Sequence, residues 1–523
     1  MVLAGGLCSS ATFAAGNSRS EAAHSDRQAS ITNHRQVVVI VWDGMRPDFV
    51  TEQIAPTLYQ LARRGVTFAN HHSVYLSSTE VNGTTLFTGA YPAHNGIIGN
   101  REYRPEIDPL KVLDTQSLAA ARKGDELTGG HYVGLPTVAE IVRHAGRKAV
   151  VAGAKPVVLL ADRAPRTSWA AGANVFAGST LPGNLLEVIT NRYGEFPADN
   201  GTNPTRNDWT TSGLIDPLWA EGVAAFSLLW MNEPDLSQHR TGIGSTQSLA
   251  AIRNADANLA RVLWALEAKG ARNATDIIVV SDHGFSTIFA AVDLAESLGK
   301  AGLKASREFK TKPGRGDILV VSNGGSSLIY VVGHDEGVIA QVVRFLRGWE
   351  FTGVIFTRQP MPGTFALSQV HLDSAAAPDV VVSLRWTTEK NQAGTPGMVA
   401  ADVPGLAAGQ GAHVSLSPFD LHNTLVAAGP DFRSGVVDTL ASGNVDVAPT
   451  VLWILDLKPP KPMDGRVLTE ALTIAGPRIK SFEPRHIETT CEQEGVAWHQ
   501  YLNFTEVNGV VYYDEGNGHQ SSR

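Results

Sequence analysis

The sequence predicts an α/β fold in which a mostly parallel central sheet has helices on both faces. Three short runs are hydrophobic throughout, as expected of strands that are buried on both faces: Val37–Trp42, Ala224–Trp230 and Ile277–Ser281. Helical stretches alternate with these runs, and the longest is the amphipathic segment Gln247–Lys269. Because such alternation favours a doubly wound sheet, side chains that follow the three runs are expected at one sheet edge.

Local start and stop signals define further elements of this core. Pro56–Arg64 is predicted to be a helix, because proline is favoured in the first turn and Gly65 supplies a stop. Val66–Phe68 follows as a short predicted strand. A second helix is predicted to begin in the polar turn Ser77–Glu80 and to end at Gly89.

The N-terminal segment predicts export from the cytoplasm. Met1–Ala15 is apolar and uncharged, like the apolar segment and cleavage region of a secretory signal, although the first arginine is Arg19. Residues 16–34 are polar and predicted to be disordered. We therefore expect a secreted or periplasmic protein; the alternative is that the whole stretch is a disordered tail. Removal of Cys8 with the signal would leave Cys491 alone, so no internal disulfide is predicted.

The chain is predicted to have one large core with two insertions and a C-terminal extension. The core spans residues 35–474, and its Gly/Pro-rich segments at about residues 165–220 and 290–410 are predicted to cap the sheet edge. Residues 475–523 form the predicted extension. Alternating residues around Asn508-Gly509 predict a hairpin over Tyr501–Tyr513.

Composition excludes some classes of function. The 523 residues are 43% hydrophobic and carry a formal net charge of −8 without charge blocks, so a basic groove for nucleic acid is not indicated. No apolar run of about 18 residues occurs after the N-terminus, so no membrane-spanning helix is predicted. Composition leaves the oligomeric state open.

Six metal-binding side chains follow the predicted strands or a glycine-rich loop. They are Asp43, Asp235, His239, Asp282, His283 and His413. Each one alone is more often a cap, turn or chance residue, but their joint placement predicts one site with two divalent metal ions. The mixture of Asp and His suits Zn²⁺, or a similar first-row ion, better than Mg²⁺ or Ca²⁺.

Two polar residues near the second predicted helix are candidates for the chemistry. Thr79 is a candidate nucleophile, because a helix N-terminus favours an alkoxide and a metal ion lowers the pKa of a bound hydroxyl. The alternative is an ordinary helix cap. Asn100 is a candidate hydrogen-bond donor to a phosphoryl oxygen, and its alternative role is that of a turn residue. No Gly-x-Ser-x-Gly elbow is present, which disfavours acyl transfer.

These residues resemble the motifs of the alkaline phosphatase superfamily, and within it the nucleotide pyrophosphatase/phosphodiesterase branch. The resemblance spans residues 36–470 with gaps. The matching segments are Val41–Asp48, Thr79 with Thr84–Asn100, Asn232–Asp235 with His239, Ser281–Gly284, and Gly411–His413. It implies an alkaline phosphatase-like three-layer sandwich and a hydrolase of small-molecule phosphate esters, foremost a phosphodiesterase or nucleotide pyrophosphatase.

The resemblance also implies a division of labour in the site. One zinc ion would be bound by Asp235, His239 and His413, and the other by Asp43, Asp282 and His283, with Thr79 as a ligand of the second ion. Thr79 would attack phosphorus and form a covalent phosphothreonine, which water then hydrolyses. Two displacements in sequence would retain configuration at phosphorus.

Two departures from the family pattern leave alternatives open. Related nucleotide-cleaving enzymes often carry an aromatic residue after the nucleophilic threonine, whereas this chain has Glu80. Lys155 lies where related monoesterases have a Ser-x-Lys-x-Arg motif, but Gly153 and Val157 replace its serine and arginine. A phosphomonoesterase that uses Lys155 is therefore one alternative, in which Lys155 binds the extra monoester oxygen. Hydrolysis of a carbon–phosphorus bond, as in phosphonoacetate hydrolases, and an inactive binding protein are the others.

Overall fold

The computed structural model describes residues 35–493 and 495–522. The predicted signal-like segment and tail, residues 1–34, therefore lie outside the described residues. None of the described helices is long and apolar enough to cross a membrane.

The strands of three or more residues are numbered in chain order. They are β1 Gln36–Trp42, β2 Val66–Phe68, β3 Ala149–Gly153, β4 Gly172–Phe176, β5 Ser179–Leu181, β6 Phe226–Met231, β7 Thr275–Val280, β8 Ser286–Val292, β9 Ile318–Ser322, β10 Ser326–Val331, β11 Thr352–Thr357, β12 Val380–Leu384, β13 Trp386–Lys390, β14 Pro396–Asp402, β15 Leu425–Ala428, β16 Val436–Asp438, β17 Phe482–Gln493, β18 Val496–Val507 and β19 Val510–Ser522.

The α-helices are numbered in the same way. They are α1 Pro56–Arg64, α2 Thr79–Thr88, α3 Pro92–Asn95, α4 Leu118–Thr128, α5 Val138–His144, α6 Leu185–Tyr193, α7 Pro204–Gly213, α8 Asp235–Thr241, α9 Thr246–Ala268, α10 Leu294–Lys300, α11 Glu336–Gly348, α12 Pro418–Leu421 and α13 Val447–Ile454. Three predicted helices are thus confirmed as α1, α2 and α9, with ends within two residues of the predicted ones.

A nine-stranded sheet forms the centre of the molecule, in the order β16-β2-β15-β7-β1-β6-β3-β4-β5. Its middle strands β7, β1, β6, β3 and β4 are mutually parallel. The strands β15 and β5 are antiparallel to their neighbours. The three predicted apolar runs are β1, β6 and β7, which lie side by side, so their carboxyl ends share one edge.

Helices cover both faces of this sheet, as predicted. Alternate residues of β1 belong to different cores: Val39 packs into one hydrophobic cluster and Ile40 into the other. The Val39 cluster includes Val142 of α5 and Val451 of α13, whereas the Ile40 cluster includes Leu259 of α9. Because each strand is buried on two faces, its sequence is hydrophobic throughout rather than alternating.

The interpretation of residues 165–220 as a cap is wrong for one part of that segment. Strands β4 and β5 lie within it, yet they extend the central sheet beyond β3. Helices α6 and α7 follow, and their residues Leu185 and Trp209 pack into a core cluster of the central sheet. These strands are short and lie at the end of the sheet, and the Gly- and Pro-rich composition around them is typical of loops. The sequence pattern therefore did not predict them.

Residues 290–410 contain further sheets beside the central one. Strands β9, β10, β12 and β11 form the middle of a six-stranded sheet, and helix α11 packs against it through Val342, Val343 and Leu346. A smaller sheet joins β13, β14 and β8 to the two-residue strand Gly411–Ala412. His413 directly follows the strand Gly411–Ala412 of this smaller sheet.

The C-terminal residues form a three-stranded antiparallel sheet of β17, β18 and β19. Strands β18 and β19 are joined by Asn508 and Gly509, which have φ of 53° and 86°. Positive φ at both positions matches the two-residue turn that Asn-Gly favours. Tyr512 and Tyr513 of β19 are buried in one hydrophobic cluster with residues of β9, β10, β11 and β12.

Candidate metal centre

Adjacent strands of the central sheet place the three predicted carboxylates at one edge. Asp43 directly follows β1, and Asp282 follows β7 after Ser281. Asp235 is the first residue of α8, which comes after β6. His239 lies four residues later on the same helix face, so both side chains point toward the same region.

A glycine allows the backbone to pass close to the centre. Gly44 has φ of 72°, a region that other residues rarely adopt, and a Cβ there would meet Phe285, Gln238 and Asp235. Its backbone N–H donates to Asp282 Oδ1 at 3.0 Å. The Gly44 N–H thereby orients the Asp282 carboxylate, at the point where the chain turns away from β1.

The first group of ligand atoms belongs to Asp43, Asp282 and His283. One atom from each lies within 4.8 Å of the other two. His283 Nε2 is 3.2 Å from Asp282 Oδ2 and 3.6 Å from Asp43 Oδ1, and all three residues are buried. Ligands around one zinc ion lie about 3–4 Å apart when the bonds are about 2.1 Å, so this spacing fits a single divalent ion.

The second group adjoins the first. Asp235 Oδ1 is 3.3 Å from His239 Nε2 and 3.7 Å from His413 Nε2. His283 also has a ligand atom within 4.8 Å of those of Asp235 and His413. The His283 and His413 rings are stacked, with centroids 3.7 Å apart. The structure thus brings all six predicted ligand residues together, with His283 at the junction of the two groups.

The three imidazoles share one orientation that suits metal binding. Each has its Nδ1 near a backbone carbonyl oxygen: His239 near Gly411 at 3.0 Å, His283 near Gly284 at 2.9 Å and His413 near Ser77 at 2.9 Å. A carbonyl oxygen only accepts, so Nδ1 carries the hydrogen, and in a neutral ring Nε2 has a free lone pair. Such a contact to the ring nitrogen that faces away is the usual support of a metal-binding histidine.

Three buried carboxylate oxygens provide an independent test of the metal hypothesis. Among the described residues, no hydrogen-bond donor meets Asp43 Oδ1, Asp235 Oδ1 or Asp282 Oδ2. An ionised oxygen that is buried without a partner is costly. The imidazole Nε2 atoms lie close to these oxygens: His283 Nε2 is 3.2 Å from Asp282 Oδ2 and 3.6 Å from Asp43 Oδ1, and His413 Nε2 is 3.7 Å from Asp235 Oδ1. Because lone pairs of carboxylate oxygens and of imidazole nitrogens face each other, these residues fit bound divalent cations.

The electrostatics of the centre favour added positive charge. Burial and the neighbouring Asp282 carboxylate raise the pKa of Asp43 well above its usual range, and burial raises the pKa of Asp282 to about 7. Burial lowers the pKa of His283, and burial with the other two imidazoles lowers the pKa of His413 well below its usual range. Bound cations stabilise ionised carboxylates, so they would lower the raised pKa values of Asp43 and Asp282, and the neutral imidazoles that the lowered histidine pKa values favour are the form that binds a metal ion.

Lys155 lies inside the centre rather than in solvent. Its Nζ donates to Asp235 Oδ2 at 2.6 Å and lies 2.9 Å from Asp43 Oδ2. These are the other oxygens of the carboxylates whose Oδ1 atoms face the imidazoles. Burial acts to raise the pKa of Asp235, but the Lys155 ammonium together with His239 and His413 outweighs it and holds that pKa well below its usual range. Lys155 therefore links a carboxylate of the first ligand group, Asp43, to a carboxylate of the second, Asp235.

Thr79 is the first residue of α2, and Ser78 occupies the N-cap position. The Thr79 side chain is buried, and its Oγ1 is 3.3 Å from His283 Nε2. The predicted nucleophile is thus next to the first ligand group. It also lies at a helix N-terminus, where the partial positive charge favours an anion.

Asn100 and Glu80 are linked through the backbone beside Thr79. The Glu80 N–H donates to Asn100 Oδ1 at 3.0 Å, which leaves the Asn100 NH₂ group as a donor. The Glu80 side chain is buried, and its Oε2 has no partner among the described residues. Burial raises the pKa of Glu80 to about 8, although the Lys155 ammonium opposes this.

Trp230 is a residue of the centre that the sequence interpretation did not single out. Its Nε1 donates to Asp43 Oδ2 at 2.8 Å, on the oxygen that also contacts Lys155. The available signal was a tryptophan near the end of a buried strand beside β1, because a buried indole N–H normally finds an acceptor.

Comparison with known proteins supplies a family-level match. Residues 37–389 match the family model described as type I phosphodiesterase / nucleotide pyrophosphatase. The chain is 22% identical over 255 residues to bis(5'-adenosyl)-triphosphatase enpp4 of Xenopus laevis. The matched region covers 48% of this chain and 47% of that protein. It is 24% identical over 254 residues to a venom phosphodiesterase of Macrovipera lebetinus, covering 48% of this chain and 26% of that protein. The matched part is thus at most about half of these relatives.

Solved structures resemble the fold over most of the chain. Murine ectonucleotide pyrophosphatase / phosphodiesterase 5 superposes with a TM-score of 0.61 and 16% sequence identity, covering 84% of this chain and 100% of that chain. An inactive variant of the same murine protein, in complex with AMP, superposes equally well. At this level of identity the likeness concerns the fold alone, and it confirms the predicted fold class.

Proposed function

The chain belongs to the type I phosphodiesterase / nucleotide pyrophosphatase family, and on that premise we propose that it is a metal-dependent hydrolase of phosphate esters that acts on diesters or pyrophosphates. Membership confirms the branch that the sequence motifs indicated. One observation carries the proposal beyond family membership: the Thr79 hydroxyl lies 3.3 Å from His283 Nε2, beside two adjoining groups of candidate metal ligands.

Two sets of residues would bind the metal ions in this proposal. Asp43, Asp282 and His283 form one set, and Asp235, His239 and His413 form the other. When bound, two divalent cations would offset the charge on the phosphoryl oxygens and lower the pKa of the Thr79 hydroxyl. We propose Zn²⁺ for both, because an Asp/His donor set favours it over Mg²⁺.

Thr79 supplies the nucleophile in the proposed reaction. Its Oγ1 forms a bond to phosphorus while the bond from phosphorus to the leaving oxygen breaks, which gives a phosphothreonine. A water molecule then attacks phosphorus, the bond to Oγ1 breaks, and the hydroxyl is regenerated. The Asn100 NH₂ group is positioned to donate to a non-bridging oxygen, where charge increases in the transition state.

The activities for which two of the relatives are named agree with this class of substrate. One matched relative is a bis(5'-adenosyl)-triphosphatase and another a venom phosphodiesterase. The murine structural neighbour is described with bound AMP. These descriptions support a nucleotide-like phosphodiester or pyrophosphate as the substrate class. We also propose a secreted or periplasmic location, which the apolar residues 1–15 support.

Substitution of Thr79 tests the proposal. Thr79→Ala should abolish hydrolysis of bis-p-nitrophenyl phosphate, while bound metal measured by mass spectrometry stays near the wild-type value. Thr79→Ser is the matched control, because it retains the hydroxyl and should retain measurable turnover. Full activity in Thr79→Ala would refute the nucleophile assignment, and a metal-loaded wild type that cleaves no ester would support an inactive binding protein.

A phosphomonoesterase remains a second candidate, because Lys155 Nζ lies between the two ligand groups. An ammonium there has the charge needed to stabilise the additional oxygen of a monoester dianion. Rates on mono- and bis-p-nitrophenyl phosphate should be compared for the wild type and Lys155→Ala. A monoester preference that disappears in the variant would favour this candidate. Phosphate release from phosphonoacetate would instead reveal carbon–phosphorus cleavage.

A further inference from the structure

A second cluster of metal-binding side chains lies apart from the residues of the candidate metal centre. His72 comes from a two-residue strand, His422 directly follows α12, and Asp514 lies on β19. One ligand atom from each lies within 4.8 Å of the other two. His72 Nε2 is 3.0 Å from Asp514 Oδ1, and the two imidazole centroids are 4.3 Å apart.

Two members of the cluster are oriented by neighbours on their far sides. His72 Nδ1 is 3.0 Å from the Ser442 carbonyl oxygen, so that nitrogen carries the hydrogen and Nε2 faces the cluster. Asp514 Oδ2 accepts from Thr505 Oγ1 at 3.1 Å, which leaves Oδ1 toward His72. Supporting contacts of this kind fix the ligands of metal sites.

His422 distinguishes this cluster from a simple ion pair. The His72–Asp514 contact accounts for two of the three side chains, but it gives His422 no partner. Within residues 35–493 and 495–522 the His422 imidazole makes no hydrogen bond, and its ring contact is with His72.

We propose that His72, His422 and Asp514 bind a third divalent cation of the zinc class. Two imidazoles and one carboxylate are a donor set for a borderline first-row ion, and water can complete the coordination. Ligand atoms of a zinc ion lie about 3–4 Å apart at bond lengths near 2.1 Å, which matches the 3.0 Å separation of His72 Nε2 and Asp514 Oδ1.

The position of the cluster indicates a structural role for this ion. Asp514 belongs to the C-terminal sheet, whereas His72 and His422 belong to segments that reach the candidate metal centre. His72 is seven residues before Thr79, and His422 is nine residues after His413. An ion at this point would therefore fasten the C-terminal sheet to the segments that carry Thr79 and His413.

Anomalous diffraction from crystals of the wild-type protein grown with Zn²⁺ tests the site directly. The expected result is a zinc-edge peak within about 2.3 Å of His72 Nε2 and Asp514 Oδ1. Peaks at the candidate metal centre without one at this cluster would overturn the proposal. This measurement needs no variant, so it remains decisive even if substitutions impair folding.

Metal stoichiometry of variants provides a second test. His422→Ala and Asp514→Asn should each bind one zinc ion fewer per chain than the wild type after equilibration with Zn²⁺ and gel filtration. His486→Ala is the matched control, because His486 is an exposed histidine on β17 of the same sheet. A wild-type zinc content in both cluster variants would refute the site, and it would do so whatever the enzyme's activity. Zinc should also raise the Tm of the wild type more than that of His422→Ala.

Discussion

Replacement of Lys155 by methionine gives a strong test of how the centre is held together. Methionine retains an unbranched apolar side chain but removes the ammonium that contacts Asp235 Oδ2 at 2.6 Å and Asp43 Oδ2 at 2.9 Å. Both carboxylates are buried, and only 20% of the Lys155 side chain is exposed. The substitution therefore leaves two crowded carboxylates without their shared cation.

The expected cost follows from that burial. Removing one partner of a buried ion pair typically destabilises a protein by about 3–5 kcal/mol, because the remaining charge is left uncompensated. Lys123→Met is the matched control, since Lys123 Nζ contacts Glu126 Oε2 at 3.0 Å but both side chains are largely exposed. An exposed pair contributes at most about 1 kcal/mol. The same substitution should thus have clearly different effects at the two lysines.

Bound metal should reduce the effect at Lys155. Zinc ions would offset the charge of the same two carboxylates, so the loss of stability in Lys155→Met should be larger in chelator-treated protein than in zinc-saturated protein. By linkage, zinc should then bind the variant more tightly than the wild type. Urea unfolding followed by tryptophan fluorescence, with and without Zn²⁺, measures both quantities.

Two results would refute this reasoning. A metal-free Lys155→Met protein that loses no more stability than Lys123→Met would show that Lys155 does not compensate Asp43 and Asp235. An equal loss with and without zinc would show that the metal does not share those carboxylates. The second result would weaken the assignment of both ligand groups.

Three further predictions concern catalysis, specificity and pH. Asn100→Ala should lower kcat on bis-p-nitrophenyl phosphate by about 10²–10³-fold with unchanged zinc content, because it removes one donor to a developing charge; an unchanged kcat would leave Asn100 a turn residue. Glu80→Tyr should raise kcat/KM for p-nitrophenyl thymidine monophosphate relative to bis-p-nitrophenyl phosphate by about 10-fold, because stacking on a base contributes about 1–3 kcal/mol. Glu80→Gln is its control, and an equal gain in both variants would attribute the effect to charge. Burial and the neighbouring Asp431 raise the pKa of Asp276 to about 8. Ionising this buried group disfavours the folded state, so its contribution to stability is complete below pH 4 and is lost as the pH rises through 8. Asp276→Asn should therefore have a higher Tm than the wild type at pH 8.5 but not at pH 3.5, and a constant difference across that range would contradict the pKa shift.

The central architecture was predictable because it depends on local patterns. Continuous hydrophobicity marked β1, β6 and β7, and Gly65 and Gly89 marked helix ends, without any knowledge of distant contacts. Strands β4 and β5 were missed for the same reason, since their local composition is typical of loops. Their place in the sheet depends on pairing with β3, which a local pattern does not contain.

The sequence by itself predicted the candidate ligand residues of the centre, because each of them follows a recognisable strand or lies within a family motif. The tertiary structure alone decided the spacing of those ligands, the contact of Lys155 with two carboxylates and the meeting of His72, His422 and Asp514. These contacts join positions tens to hundreds of residues apart. Residue type and local spacing fix which side chains reach a sheet edge, whereas the direction and partner of each charged group depend on how the whole chain packs around it.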